Sequence, residues 1–154
     1  MCDLTYERAF AIDQYNLGMK LGEYTMARLM EIFFDRIYKD QTEWFISLFA
    51  RVTQEDMTQY LADYLLQRLG GDPYYSANKG IPALILAHMS LELSPRIAEK
   101  WLDHFEDALD DLYEDITSEE KDIVRDHMRY TAYFLVAAQL QQKEDMEMGV
   151  MFLD

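Results

Sequence analysis

The sequence contains three histidines, and one of them, His88, stands at the end of an apolar run. The run IPALILA, residues 81–87, leads into it from the segment GGDPYYSANKG, and Pro82 and Pro95 bracket the short helix that would carry it. An imidazole in apolar surroundings needs a hydrogen-bond partner or a metal to offset its desolvation. The residues alone leave two interpretations of His88 open, a metal ligand and a core histidine.

The other two histidines have simpler explanations. His104 follows Asp103 on a helix that also carries Lys100, which predicts a solvated helix face. His127 lies among apolar residues, which predicts a partly buried structural role. Neither sequence context favours a metal site.

Most helical metal sites are excluded by spacing. A di-iron bundle needs Glu-x-x-His, and the residues three positions before the histidines are Ile85, Trp101 and Val124. No two histidines lie one helical turn apart, and the single cysteine, Cys2, excludes a cysteine cluster. No calcium loop, nucleophile elbow or phosphate loop appears, and we assign no catalytic residue. Haem iron can be held by one histidine between apolar helices.

Composition limits the classes of partner. The 154 residues suffice for one domain with a core, and the net charge of −15 disfavours nucleic acid and anionic membrane surfaces. No apolar stretch reaches the roughly 20 residues of a membrane span, and no basic region precedes an apolar core near Met1. We expect a cytoplasmic protein with neither a nucleic-acid nor a membrane partner.

Apolar residues recur at helical spacing throughout the chain, which predicts an all-α fold. Thr53, Ser94 and Thr117 are predicted N-caps, and Gly70 with Gly71 a C-cap. Gly18 and Gly22 are predicted to separate an N-terminal helix from the next helix. The segment 70–82 is predicted to be an unusually long irregular loop.

The motifs LGGDPYYS, GIPALILAH and AEKWLDHF together resemble the second group of the truncated haemoglobins. The resemblance covers residues 23–140. The positions that match in order are Gly70, Gly71, Tyr75, Gly80, Pro82, His88 and Trp101, whereas Asp72 stands where the family usually has proline.

This resemblance implies a globin-like, truncated two-over-two helical sandwich with an extra N-terminal helix. Residues 1–154 would form one domain, with an N-terminal extension helix at 1–22, a globin core at 23–143 and a C-terminal tail at 144–154. The implied cofactor is haem b, with His88 as its proximal iron ligand and Trp101 in the distal pocket. The other implied cofactor-binding residues are Phe34, Phe49, Met57, Leu61, Tyr75 and Leu84.

Two departures from the family pattern bear on the cofactor. Phe34 and Phe49 stand where the family often has hydroxyl-bearing or imidazole side chains, which leaves Trp101 as the fixed donor of an apolar distal pocket. Around the proximal helix the family places basic residues that pair with the haem propionates, and this chain has apolar residues at 81, 83, 85 and 87. Lys79, Tyr75 and Arg96 are the remaining candidates for that pairing.

Two functional hypotheses follow. In the first, the chain is a haem globin that reversibly binds oxygen, nitric oxide or carbon monoxide, with an unidentified reductase as a further partner. In the second, it is a haem-free globin-like signalling or interaction module. The sequence assigns neither an oligomeric state nor a choice between sensor, carrier and enzyme.

Overall fold

The computed structural model describes residues 17–68, 92–112 and 114–152, and the regular structure within these ranges is entirely helical. Helix α1 spans Leu17–Lys39, and the short helix α2, Glu43–Ile46, leads into a 3-10 turn at Ser47–Phe49. Helices α3, α4 and α5 span Gln54–Arg68, Pro95–Asp111 and Ser118–Phe152. The prediction of an all-α fold is confirmed.

A kink at Gly22 divides helix α1. Gly22 has φ 80° and ψ 167°, a conformation that a residue with a Cβ rarely adopts. The predicted break at Gly22 is therefore confirmed. The predicted break at Gly18 is wrong, because Gly18 lies inside the helical part of α1 and is buried. A glycine lowers helix stability by about 1 kcal/mol relative to alanine, which does not by itself end a helix.

Side-chain caps fix where α3 and α4 begin. The Thr53 hydroxyl accepts a hydrogen bond from the Asp56 amide at 3.1 Å, just before α3. The Ser94 hydroxyl accepts one from the Ile97 amide at 3.2 Å, and Pro95 is the first residue of α4. Both predicted caps are confirmed. The predicted glycine cap at residues 70 and 71 and the loop 70–82 lie outside the described residues.

A reciprocal capping box begins helix α5. The Thr117 hydroxyl accepts from the Glu120 amide at 3.2 Å, and the Glu120 carboxylate accepts from the Thr117 amide at 3.1 Å. This arrangement satisfies two amides that would otherwise lack partners at the helix end. The helix then runs 35 residues, so that residues 144–152, assigned by sequence to a tail, continue it.

Helix α1 packs against both α3 and α4, and α4 packs against α5. The helical spacing of apolar residues gives α1 one buried stripe, made of the fully or almost fully buried residues Met26, Leu29, Met30, Phe33, Phe34 and Ile37. The core thus lies where α1 crosses its two neighbours. None of the described helices combines the length and apolar character needed to span a membrane.

The Ser94 cap allows a direct test of the start of α4. Replacing Ser94 with alanine should lower the free energy of unfolding by about 1 kcal/mol, because the Ile97 amide loses its acceptor. Urea denaturation measures the change. Ser118→Ala is the matched control, because this exposed serine follows the Thr117 cap, and its effect should be near zero. Equal effects of the two substitutions would contradict the assignment.

Candidate functional site

The predicted site residues fall into two sets. The proximal candidates His88, Tyr75 and Leu84 lie outside the described residues. The distal candidates lie within them, on α1, the 3-10 turn, α3 and α4: Phe34, Phe49, Met57, Leu61 and Trp101. The structure therefore describes the surroundings of the distal candidates.

Phe33 is the centre of an aromatic cluster that joins α1 to α4. Its ring centroid lies 4.8 Å from that of Phe34, 5.1 Å from that of Trp101 and 5.4 Å from that of Phe105. All three contacts are edge-to-face, the geometry that aromatic quadrupoles favour. Phe33, Phe34 and Phe105 are completely buried. The structure thus brings Phe34 and Trp101 together through Phe33.

Trp101 occupies a different position from its aromatic neighbours because it is only half-buried. Its ring stacks on Phe105 with an interplanar angle of 8° and meets Phe33 at 90°. Two ring contacts in different planes fix the orientation of the indole. The indole N–H is a hydrogen-bond donor that is held at the edge of the core.

Phe49 belongs to a second aromatic group. Its ring centroid lies 5.5 Å from that of the buried Phe45 and 5.9 Å from that of Tyr38. The Tyr38 hydroxyl donates a hydrogen bond to the Val52 carbonyl at 3.1 Å. Phe45 was not predicted as a core residue, although its place within the apolar run WFI was a signal available in the sequence.

Met57 and Leu61 lie one turn apart on α3, and both are half-buried against the core. Phe49 and Trp101 are likewise half-buried apolar side chains that pack against the core. A large apolar cofactor in contact with such side chains would bury them further. Within the described residues no group of three His, Cys, Asp or Glu side chains could hold a bare metal ion. In their chemistry, the half-buried apolar side chains suit the apolar face of a haem.

His104 is not on a solvated face, and that prediction is wrong. Its Nε2 lies 2.7 Å from a carboxylate oxygen of Asp40, and its side chain is 19% exposed. The reason is that the chain after α1 folds back over α4, which brings Asp40 and the Phe45 ring onto the helix face that His104 occupies. Lys100, one turn earlier, lies 3.1 Å from the same oxygen.

Asp40 is the acceptor at the centre of this polar group. Burial would raise the pKa of its carboxyl, but hydrogen bonds from the Thr42 amide, His104 and Lys100 outweigh burial and hold the pKa well below its ordinary value. The side chain is 7% exposed, so the carboxylate is ionised while nearly buried. Asp40 thus ties the end of α1 to α4.

The cation Arg96, which the sequence offered as a propionate partner, stacks on an aromatic ring. Its guanidinium carbon lies 3.7 Å from the centroid of the Trp44 ring. A cation this close to an indole face is attracted by the ring quadrupole. The contact links the start of α4 to α2.

His127 has the structural role that the sequence predicts. It is 3% exposed, and its ring stacks on that of Tyr64 at 6.2 Å between centroids. The Tyr64 hydroxyl lies 3.3 Å from that of Thr131. These contacts join α3 to α5 inside the core.

Comparison with known proteins identifies the family. Residues 17–137 match the family model of the bacterial-like globins. The chain is 44% identical over 129 residues to two-on-two hemoglobin-3 of Arabidopsis thaliana, covering 84% of this chain and 73% of that protein. It is 41% identical over 129 residues to group 2 truncated hemoglobin 3-1 of Lotus japonicus, covering 84% and 76%. The chain belongs to the truncated haemoglobin family.

The fold of this truncated haemoglobin agrees with that assignment. The solved structure of the truncated oxygen-avid haemoglobin from Bacillus subtilis matches it with a TM-score of 0.67, over 77% of this chain and 96% of that chain. The sequence identity is 22%, at which the likeness shows the fold alone. Membership of a globin family implies a haem cofactor and a diatomic gas as ligand.

The buried Asp40 carboxylate of this truncated haemoglobin should give it a measurable acid sensitivity. The pKa of Asp40 is lower in the folded chain than the roughly 3.9 of an unfolded aspartate. The stabilisation that the ionised carboxylate gives the folded chain is therefore fully present above about pH 4 and is lost as the pH falls below it. Asp40→Asn should therefore cost about 2 kcal/mol at pH 7, and the difference from the parent should shrink below about pH 4.

Asp35→Asn provides the matched control for this measurement. Asp35 also lies on α1 and pairs with Lys39 at 2.8 Å, but its side chain is 53% exposed. Water screens such a pair, so this substitution should leave the free energy of unfolding close to that of the parent. Urea denaturation from pH 3 to pH 8 compares the variants. A constant difference between Asp40→Asn and the parent across that range would contradict the account.

Proposed function

We propose that this truncated haemoglobin binds haem b through His88 and reversibly holds a diatomic gas, either oxygen, nitric oxide or carbon monoxide, beside Trp101. The observation that carries the proposal is the double ring contact of Trp101, which fixes a half-buried indole donor at the edge of an apolar core. When bound, haem supplies the iron that coordinates the gas. The protein supplies the proximal imidazole, the apolar enclosure and the distal hydrogen bond.

The apolar enclosure consists of Phe34, Phe49, Met57 and Leu61 on the distal side, with Tyr75 and Leu84 on the side of His88. None of the four distal side chains carries a hydroxyl or amide group, so they exclude water without competing for hydrogen bonds. Two of the tyrosine hydroxyls on α1 and α3 are already engaged, that of Tyr38 with Val52 and that of Tyr64 with Thr131. This supports Trp101 as the donor to the ligand.

A reductase is the further partner that the proposal implies. Globin iron binds oxygen in its ferrous state, so a chain that works through repeated cycles needs a source of electrons after oxidation. The chain as a whole is strongly acidic, with a net charge of −15. A basic reductase surface would be the complement of this charge.

The role of His88 is tested by its replacement with alanine. The purified parent, reconstituted with hemin and reduced, should show the spectrum of five-coordinate ferrous haem, and His88→Ala should abolish it because the iron loses its protein donor. His104→Ala is the control, since His104 pairs with Asp40, and it should keep the spectrum. An unchanged spectrum in His88→Ala would overturn the assignment of the proximal ligand.

The role of Trp101 is tested by Trp101→Phe, which keeps an aromatic ring and removes the N–H donor. Oxygen is a better hydrogen-bond acceptor than carbon monoxide, so oxygen dissociation should accelerate by about tenfold for each 1.4 kcal/mol of lost bonding. Carbon monoxide dissociation should change far less. Stopped-flow measurements give both rates.

Trp44→Phe is the control for this substitution. Trp44 is the other tryptophan of the chain, and it contacts Arg96 rather than the Phe33 cluster. Both gas dissociation rates should stay close to those of the parent in this variant. If Trp101→Phe changed the two gases equally, Trp101 would be a wall of the pocket and not its donor.

A further inference from the structure

Helix α5 continues beyond the part that packs on the core. Gln139 is the last buried residue among those described on this helix, and its side-chain oxygen accepts a hydrogen bond from the Leu93 amide at 2.8 Å. From Leu140 to Met148, every residue whose side chain the structure describes is exposed. The match to the globin family model covers residues 17–137. The last part of α5 thus extends past the globin core with its described side chains in solvent.

One side of this part of the helix carries exposed apolar side chains. Phe134 is 41% exposed, Leu140 56% and Met148 55%. Exposed residues recur at alternating steps of three and four, which places them in one row along α5: Phe134, Ala137, Gln141, Glu144 and Met148. Leu140 borders this row, because it lies one helical turn from both Ala137 and Glu144. We call the row together with Leu140 the outer face of α5.

Acidic side chains lie in the outer face and along both of its edges. Glu144 belongs to the row itself, and helical geometry places Asp145 on one edge and Glu147 on the other. Lys143 is the one base between residues 143 and 147, and its helical position is on the side away from the row. The outer face therefore combines exposed apolar side chains with negative charge.

The spacing of the outer face suits contact with another helix. Alternating steps of three and four residues form the seam along which two helices pack side by side, and the charges beside that seam select the partner. Methionine fits apolar surfaces of different shape because its side chain is unbranched and flexible. A helix with an apolar stripe flanked by lysine or arginine would bury Leu140 and Met148 and pair with the adjacent carboxylates.

The remaining segments of this chain and a second copy of it lack the complementary charge. Residues 1–16 contain three acids and one arginine, and residues 69–91 contain one aspartate and one lysine. Two copies joined through this face would bring the same carboxylates together, and each copy has a net charge of −15. Like charges placed against each other oppose association. Charge complementarity thus favours a different protein as the occupant.

We propose that the outer face of α5 is a docking surface for a basic amphipathic helix of another protein. The inference goes beyond the proposed function, because it does not depend on the haem. Binding buries the exposed apolar side chains of the face and places basic residues beside Glu144, Asp145 and Glu147. The globin is then held by its partner through residues that the proposed haem site does not use.

The test measures the binding of a synthetic peptide to the purified full-length chain. The probe is a fluorescein-labelled peptide of leucine and lysine, with its leucines three and four residues apart. A length of about 18 residues covers the roughly 21 Å between residues 134 and 148 at about 1.5 Å per residue. The parent should bind one equivalent of this peptide in fluorescence anisotropy, and binding should slow hydrogen exchange in the last part of α5. The same peptide with glutamate in place of each lysine should not bind.

The apolar contribution is tested by Leu140→Ser combined with Met148→Ser. This variant should weaken binding at least about tenfold, which corresponds to about 1.4 kcal/mol. Met146→Ser is the matched control, because Met146 is 69% exposed on the opposite side of the same helix. It should bind the peptide as the parent does.

The contribution of charge is tested by Glu144→Lys combined with Glu147→Lys. Lysine is also a good helix former, and near the end of a helix it interacts favourably with the helix dipole, so the fold should be kept. Binding should again weaken at least about tenfold. The matched control is Asp103→Lys combined with Glu114→Lys, which changes the net charge equally at exposed positions on α4 and after it. This control should stay much closer to the parent.

Several results would overturn the inference. They are a parent that does not bind the peptide, equal binding of the glutamate peptide, equal weakening by test and control variants, and slowed exchange elsewhere than in α5. Light scattering examines the second copy as occupant. A parent dimer that Leu140→Ser with Met148→Ser converts to a monomer would assign the outer face to self-association and would also overturn the inference.

Discussion

The structure depends on the burial of Phe33 between α1 and α4. This ring contacts Phe34 on its own helix and both Trp101 and Phe105 on α4, each edge-to-face. Such pairs contribute about 0.5–1.5 kcal/mol each beyond their buried area, and they also fix ring orientations. The same contacts that stabilise the crossing of the two helices therefore hold the indole of Trp101 at the core edge. The aromatic contacts that stabilise the fold are therefore also the contacts that would position the proposed hydrogen-bond donor to the ligand.

The helices and their starts could be predicted because they follow from local chemistry. Thr53, Ser94 and Thr117 each cap a helix through their own neighbours, and the stripe on α1 follows from helical spacing. The family could also be predicted, because motif residues between Gly70 and Trp101 match the family pattern in order along the sequence. Such a match requires no coordinates. The one local error, at Gly18, arose because a glycine permits a break without requiring one.

The contacts between distant residues could not be predicted in the same way. His104 looked solvated because its sequence neighbours are polar, yet Asp40 reaches it from 64 residues away. Gln139 likewise gave no signal, since its partner is a backbone amide 46 residues earlier. Phe34 and Trp101 were predicted for one pocket, but Phe33, which joins them, was not among the predicted site residues. Helical periodicity indicates which residues turn inward, and the packing of helices decides which of them meet.

The measurement that tests the account most directly is a titration of the purified full-length chain with hemin, followed by absorption in the Soret region and by tryptophan fluorescence. The account predicts a sharp Soret band that grows to a break at one equivalent of hemin, with quenching of the fluorescence of Trp44 and Trp101 over the same range. A broad absorption that rises without a break, or fluorescence that falls in proportion to added hemin beyond one equivalent, would contradict it. That result would mean that the apolar surface beside Trp101 serves a haem-free module.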